Sequence, residues 1–423
     1  MYIHKINIQN FRVFKKTGID FVHPDQNFAR IKLPKPVFPN INLLLGDNGS
    51  GKTTLLKAVA LAALGPSVRD SGVIAYRLVR REPGSSKTAP GKRAPATYKK
   101  TEAVLEADFI SHAQDGGSRL PDTIKSRVSI LKRRDLEGLH WSYPSEKNWH
   151  PIFSEETDAF FFVGYGATRR VESRDTLDMG SRRASAIIRA QRIRSLFEET
   201  YSLVPLNSWL PEYKHSNPGR HKQVVNLINR LMPAGSYSFS GAMEGNEYTY
   251  SKEKLNIPFP ALSDGYRAYL GWIGDLLYHL CRCCPSGKKL VDNQGIVMVD
   301  EIDLHLHPEW QMSVLPVLSR ALPKIQFILT SHSPLLVGSL EWMNIITMEE
   351  GPKQSSVMER LRHPVNGLDA DQILLTDFFG LPSTRAEAKH KQLQKLNEKA
   401  RRGDKKAAIE VLNALSRGCE GVE

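Results

Sequence analysis

Apolar positions along the chain follow three patterns. Short runs with little polar interruption occur at NINLLLG (40–46), FFFVGYG (160–166), GIVMV (295–299) and IQFIL (325–329). Runs of that length predict strands buried on both faces, as in a parallel sheet. β-Formers alternate or cluster in YIHKINI (2–8), AVLEADFI (103–110), SRVSILKRR (126–134) and around Tyr248 to Tyr250, which predicts half-buried strands. Helical spacing runs from Ala184 to Leu231, interrupted at Pro205, Pro211 and Pro218. It returns in a long helix after Asp264, in another after Pro308, and in an Ala-, Leu-, Lys- and Glu-rich tail from Ala386 to Leu415, broken near Gly403. Strands and helices interleave, so the expected class is α/β. The chain shows no internal repeat and no sustained heptads.

At 423 residues, 41% hydrophobic and 24% charged, the composition is that of a globular protein with a sizeable core. No run approaches the roughly 18 to 20 apolar residues of a membrane span, and MYIHKINIQNF lacks the apolar core of a signal peptide. The expectation is a cytoplasmic protein without a membrane partner. Four cysteines fit a reducing compartment; Cys281, Cys283 and Cys284 fall at a helix end, and a metal site there needs further ligands. The stretch REPGSSKTAPGKRAPATYKK (81–100) reads as a surface loop. An excess of 58 Lys and Arg over 45 Asp and Glu, or +13, is compatible with a polyanionic partner without identifying one.

One turn adds chemistry. Gly46-Asp47-Asn48-Gly49-Ser50-Gly51-Lys52-Thr53 satisfies GxxxxGK[ST] and sits between a buried strand and a helix. Glycines let backbone amides of Asn48, Gly49, Ser50 and Gly51 converge on a phosphate, and the helix start adds its positive dipole end. Lys52 would reach the β- and γ-phosphates and Thr53 would ligate Mg²⁺, with Thr54 beside it. The expected ligands are ATP and Mg²⁺. A second strand ends in Asp300-Glu301, placing Asp300 to hold the Mg²⁺ shell and Glu301 to polarise an attacking water.

Two further strings have two readings each. LSDGYRAYL (262–270) opens a helix at Ser263 and Gly265, either as a second anion site or as an ordinary N-cap. FILTSHSP (327–334) ends a strand in His332, either a contact to the γ-phosphate or a structural histidine. His305 and His307 suggest a metal pair, but Pro308 predicts a helix start that breaks the shared face.

In this order and spacing the four elements resemble the ABC-type ATPase heads of the RecF, SMC and OLD-like group. DEIDLHLHP (300–308), TSHSP, LSDGYR and INIQNFRVF are similar to the AAA-15/AAA-21 ATPases of bacterial genome defence. YRLVRR (76–81), VGYGATRR (163–170) and ADQILLTDFFGLPSTR (370–385) resemble the ATPase subunit of Septu and of Septu-associated retron systems. The resemblance implies an ABC-type P-loop head in two parts, 1–70 and 255–345, with a mixed strand and helical insertion at 71–254 and a largely helical extension at 346–423. It implies a homo-oligomer, at least a dimer, in which Ser263 and Gly265 of one chain face the phosphate loop of another. It also implies a nucleotide contact for Arg12 and a partner contact for Asp303. Two departures stand out: no Gln-bearing loop is identifiable, and no coiled coil fills the insertion.

The segment 169–194 carries eight arginines against three acids. It would track a nucleic-acid backbone, meet an acidic partner, or form a solvated face. Three functions remain open: an ATP-dependent sensor and regulator of a partner nuclease or other effector in anti-phage defence, a RecF-like DNA-repair ATPase, and a self-contained nuclease. The last lacks an acid cluster, since GLDADQ (367–372) offers only Asp369 and Asp371.

Overall fold

The computed structural model describes residues 1–69, 77–81, 101–116, 120–133, 136–142, 149, 152, 160–171, 188–233, 235–253, 255–351, 355–384 and 387–416. Most of the Pro- and Gly-rich stretch read as a loop (82–100), together with Arg174, Arg182, Arg183 and Cys419, lies outside the described residues. The chain divides into two compact units, Met1–Gly367 and Leu368–Glu423.

In the first unit, β3 (Ile41–Gly46), β7 (Phe161–Tyr165), β11 (Gly295–Val299), β12 (Ile325–Thr330), β13 (Ile345–Gly351) and β14 (Ser355–Glu359) form one sheet in the order β14-β13-β3-β12-β11-β7. All neighbours pair in parallel except the edge hairpin β13–β14. The four apolar runs are its central strands and one edge, as expected of strands covered on both faces. A second sheet is antiparallel in the order β2-β1-β4-β5-β6, built from β1 (Tyr2–Phe11), β2 (Phe14–Asp20), β4 (Glu102–Ile110), β5 (Thr123–Arg133) and β6 (Leu136–Ser142). A small third sheet, β10-β9-β8, comprises β8 (Ser238–Glu244), β9 (Glu247–Lys252) and β10 (Leu255–Pro258).

The helix Lys52–Arg69 is apolar almost all round because it lies in the main core, among residues of both large sheets such as Ile6, Leu105, Val128, Ile296 and Ile328. Buried polar side chains tie the sheets together. Asn42 accepts from Val22 N–H at 2.9 Å and donates to Val22 C=O at 2.8 Å. Gln326 accepts from Ile3 N–H at 2.8 Å and donates to the carbonyls of Ile3 and Val22. Both are 0% exposed, so within central strands they answer backbone groups that water does not reach.

Pro211 and Pro218 fall in the first turns of the helices Leu210–Ser216 and Pro218–Leu231, where a missing N–H costs nothing. They start helices rather than interrupt one. The helices Asp264–Cys283 and Pro308–Ala321 occur where expected. Cys281, Cys283 and Cys284 are buried at the end of the former, and burial pushes the Cys281 thiol up to about 12. Among the described residues no helix is long and apolar enough to cross a membrane, and no group of acids, histidines and cysteines is placed to hold a metal on its own.

The second unit contains the helices Ala370–Leu374, Glu387–Arg401 and Lys405–Ser416. Asp369 is the N-cap residue of the first, its N–H donating to Gln372 Oε1 at 3.0 Å. Between the other two, Gly403 takes φ +97°, a turn conformation that suits glycine.

Candidate nucleotide site

Parallel neighbours in register bring their C-terminal ends to one edge of a sheet, where ligands of open α/β sheets are bound. Here Val299 lies opposite both Tyr165 and Leu329, and Thr330 opposite Leu44. That register gathers the glycine turn after β3, the acids after β11, the Thr330-Ser331-His332 end of β12 and the loop after β7 at a single edge.

The turn after β3 requires its glycines. Gly46 has φ +148°, and a Cβ there would stand 2.3 Å from Met348 O; Gly51 has φ +106°, and its Cβ would stand 2.6 Å from Val13 Cγ2. Gly49, at φ +84°, has nothing within 4 Å of its Cβ position, so backbone is open there to a ligand's approach. Asp47, Asn48 and Gly49 are exposed, while Ser50, Lys52 and Thr54 are buried. Ser50 Oγ has no hydrogen-bond partner, an orphaned hydroxyl inside the turn. Lys52 Nζ folds back to donate to Gly46 O at 2.6 Å and Asp47 O at 3.0 Å. Burial holds the Lys52 pKa below the usual lysine range, opposed by Asp300, Glu301, Asp47 and Asp303.

Thr53 Oγ1 donates to Asp300 Oδ2 at 2.7 Å, joining residues 247 positions apart in sequence. Thr330 Oγ1 donates to the other oxygen, Oδ1, at 2.6 Å and accepts from Glu301 N–H at 2.7 Å. Arg169, buried to 6% exposure in the loop after β7, donates Nη1 to Asp300 O and Nη2 to Glu301 O, the latter at 2.9 Å. Burial lowers the Arg169 pKa to about 10 against the opposing pull of Asp300, Glu301 and Asp303. The hydroxyl of Thr53 and the carboxylate of Asp300 are hard oxygen donors of the kind Mg²⁺ selects. With the orphaned Ser50 hydroxyl and the lysine turned onto its own loop, these residues fit a Mg-bound triphosphate.

The remaining expected residues fall into two groups. Arg12, at φ +45°, turns the chain between β1 and β2, and its neighbour Val13 is the residue that borders Gly51 of the phosphate loop. His332 is exposed at the sheet edge, between Ser331 and Ser333, which hydrogen-bond to each other. Ser263 is exposed at the N-cap position of Asp264–Cys283, yet its side chain makes no capping hydrogen bond. A Cβ on Gly265 would stand 2.6 Å from His305 O, so this helix start sits against the turn that follows Glu301. Asp303 Oδ1 in that turn is buried and unpartnered. No hydrogen bond joins Ser263 to the phosphate loop among the described residues.

Sequence reading missed Arg169 and Thr330. Both stood in motifs that were recognised, Arg169 in VGYGATRR and Thr330 in FILTSHSP. Arg169 also opens the arginine-dense segment, whose composition gives no sign of burial, and in the second string the imidazole of His332 is the more conspicuous group. Of that basic segment Arg192 is buried too, donating to Phe160 O at 2.8 Å, and Arg194 pairs with Glu198 at 2.7 Å.

The family model described as AAA domain, putative AbiEii toxin, Type IV TA system matches residues 41–338, and that described as AAA ATPase domain matches residues 1–63. The chain is 37% identical over 404 residues to the retron Ec83 probable ATPase of Escherichia coli, covering 82% of this chain and 71% of that protein. It is 24% identical over 389 residues to the Septu protein PtuA of Bacillus mycoides, covering 90% of this chain. It spans only 45% of that relative's length. Among solved structures it is similar to the SMC head domain from Thermotoga maritima, with a TM-score of 0.46 and 14% identity over 85% of this chain and 99% of that one. The first family match runs from the phosphate loop through the acids to the end of the histidine strand, and the chain belongs to this family of AAA-domain ATPases.

Proposed function

We propose that the chain binds ATP with Mg²⁺ at the phosphate loop and hydrolyses it slowly, within a dimer or larger homo-oligomer that completes each site across chains. The carrying observation is the Thr53–Asp300 hydrogen bond, which sets two hard oxygen donors side by side at the mouth of a glycine turn. In this reading Lys52 leaves the Gly46 and Asp47 carbonyls for the β- and γ-phosphates. The amides of Asn48 to Gly51 surround the phosphates and Arg12 lies alongside the nucleotide. Bound Mg²⁺ neutralises charge on the phosphate oxygens. Glu301 orients and polarises the attacking water, and His332 faces the γ-phosphate from the end of β12.

Ser263 and Gly265 serve the site of another chain. An exposed hydroxyl that does not cap its own helix, beside free N–H groups at a helix start, suits an incoming phosphate. The cycle regulates a separate effector, a nuclease or other enzyme, in anti-phage defence in the cytoplasm. Similarity to the retron and Septu proteins supports that setting, and the helix-capping position of Asp369 favours it over a self-contained nuclease.

The experiment is ATP turnover by the purified chain beside Glu301→Gln, with bound nucleotide and mass in solution measured for both. Turnover by the wild type, and a variant that keeps ATP uncut in a dimer or larger form, is the expected result. Equal turnover by both proteins would remove Glu301 from the chemistry.

A further inference from the structure

Glu301 has φ +49°, a left-handed conformation unfavourable for a residue with a Cβ, and the loop residue Arg169 that reaches it has φ +35°. Strained backbone persists where surrounding contacts over-determine it. Around Asp300–Glu301 those contacts come from two sides. From β7 and its loop, Tyr165 O accepts from Asp300 N–H at 2.9 Å, and the two terminal nitrogens of Arg169 donate to the successive carbonyls of Asp300 and Glu301. From β12, Thr330 Oγ1 accepts from Glu301 N–H and donates to the Asp300 carboxylate, while Thr330 O accepts from Ile302 N–H at 3.0 Å.

We infer that Arg169, opposed by Thr330, is a positioning residue that clamps the Asp300–Glu301 turn and thereby aims the Glu301 carboxylate, the Asp300 carboxylate being held by Thr53 and Thr330. This rests on the ATPase reading and deepens it. Arg169 is not a phosphate-binding finger: both terminal nitrogens face backbone carbonyls and the side chain is buried, whereas neighbouring Arg170 is exposed. Its guanidinium also places one positive charge among Asp300, Glu301 and Asp303, offsetting their mutual repulsion before any cation arrives. A planar fork spans two successive carbonyls, which a lysine ammonium does not do with the same geometry. The clamp occupies the loop after the strand beside the acids.

The test compares Arg169→Lys and Arg169→Ala with wild type for kcat, KM, nucleotide affinity, thermal stability and amide hydrogen exchange across residues 299–303 of the nucleotide-free protein. Misplacing Glu301 should lower kcat about 100-fold. KM and nucleotide affinity should stay within about threefold, because the phosphate loop is untouched. Exchange at the turn should quicken, and lysine should recover little. On a Glu301→Gln background Arg169→Lys should cost less than about twofold more, since both changes act through one carboxylate. If Arg169→Ala does not fold, Arg169→Lys and Thr330→Val decide, and each should show the kcat defect. A wild-type kcat in any folded Arg169 variant, or a full additive loss on the Glu301→Gln background, overturns the clamp while the ATPase reading stands. Absence of hydrolysis by the wild-type protein sinks the ATPase reading and the clamp with it.

Discussion

The phosphate-loop edge and the start of the Ser263 helix are both built from glycine, hydroxyl and a helix N-terminus, yet they are finished to different degrees. At the first, hydrogen bonds tie Thr53, Asp300, Glu301 and Thr330 into one set, Lys52 is bonded to its own loop's carbonyls, and three glycines adopt conformations suited to a close backbone approach. At the second, Ser263 is exposed, its side chain caps nothing, and Gly265 lies close against the His305 carbonyl. On the proposed function, the difference is that between a half-site assembled within one chain and one that another chain's nucleotide would complete. The turn after Glu301 touches the helix of the second while its acids belong to the first.

The largest expected effect is at the assembled half. Lys52→Ala should abolish measurable nucleotide binding, a loss of about 100-fold or more, because a buried cation facing phosphates is removed. Equilibrium binding of a fluorescent ATP analogue reads this out, and near-wild-type affinity would place the nucleotide elsewhere. Glu301→Gln should lower kcat by about 10² to 10⁴ while affinity is kept. Ser263→Arg should leave nucleotide binding by a single chain intact and lower hydrolysis by about 10² or more, as expected for loss of a donor to the developing charge. If Ser263→Arg weakened binding as much as Lys52→Ala, the two regions would be one site and the comparison would fail.

A smaller effect follows from Lys52. Its pKa is depressed by burial in the free protein, and bound phosphates raise it, so binding at alkaline pH takes up a fraction of a proton. Affinity should therefore fall as pH rises through the depressed pKa, by up to about tenfold per pH unit. Calorimetry in buffers of different ionisation enthalpy measures the uptake; no buffer dependence at any alkaline pH would mean that Lys52 does not meet the phosphates. Asn42→Ala touches neither half-site. It should cost about 2 kcal/mol of stability, by leaving the Val22 N–H buried and unpaired while Val22 C=O keeps only Gln326, without altering kcat per folded molecule.

Sequence pattern made four of the five parallel strands legible because continuous apolar runs of that length have few alternatives. The phosphate loop was legible because its glycines follow one such run directly. The edge hairpin β13–β14 and strand β6 went unread, since short strands ending in glutamates or turns carry no run to notice. Pro211 and Pro218 looked like breaks because proline is unfavourable inside a helix, but it is well tolerated in a first turn. Arg169 was hidden for a different reason: sequence gives the density of arginine but not its burial, and the carbonyls that hold it lie about 130 residues away. Asn42 and Gln326 were hidden likewise, as polar letters in apolar strands whose backbone partners at Ile3 and Val22 lie far off in sequence.

The central claim is that the finished and unfinished halves belong to different composite sites, each shared between two chains. The most direct measurement mixes Lys52→Ala with Ser263→Arg subunits, each inactive alone, and follows ATP turnover against the fraction of mixed dimers counted by native mass spectrometry. A mixed dimer retains one site with both an intact phosphate loop and an intact Ser263. Turnover should rise in proportion to mixed dimers, to about half the wild-type rate per dimer when the two sites act independently. Mixed dimers that form yet hydrolyse no more ATP than either parent would contradict the account.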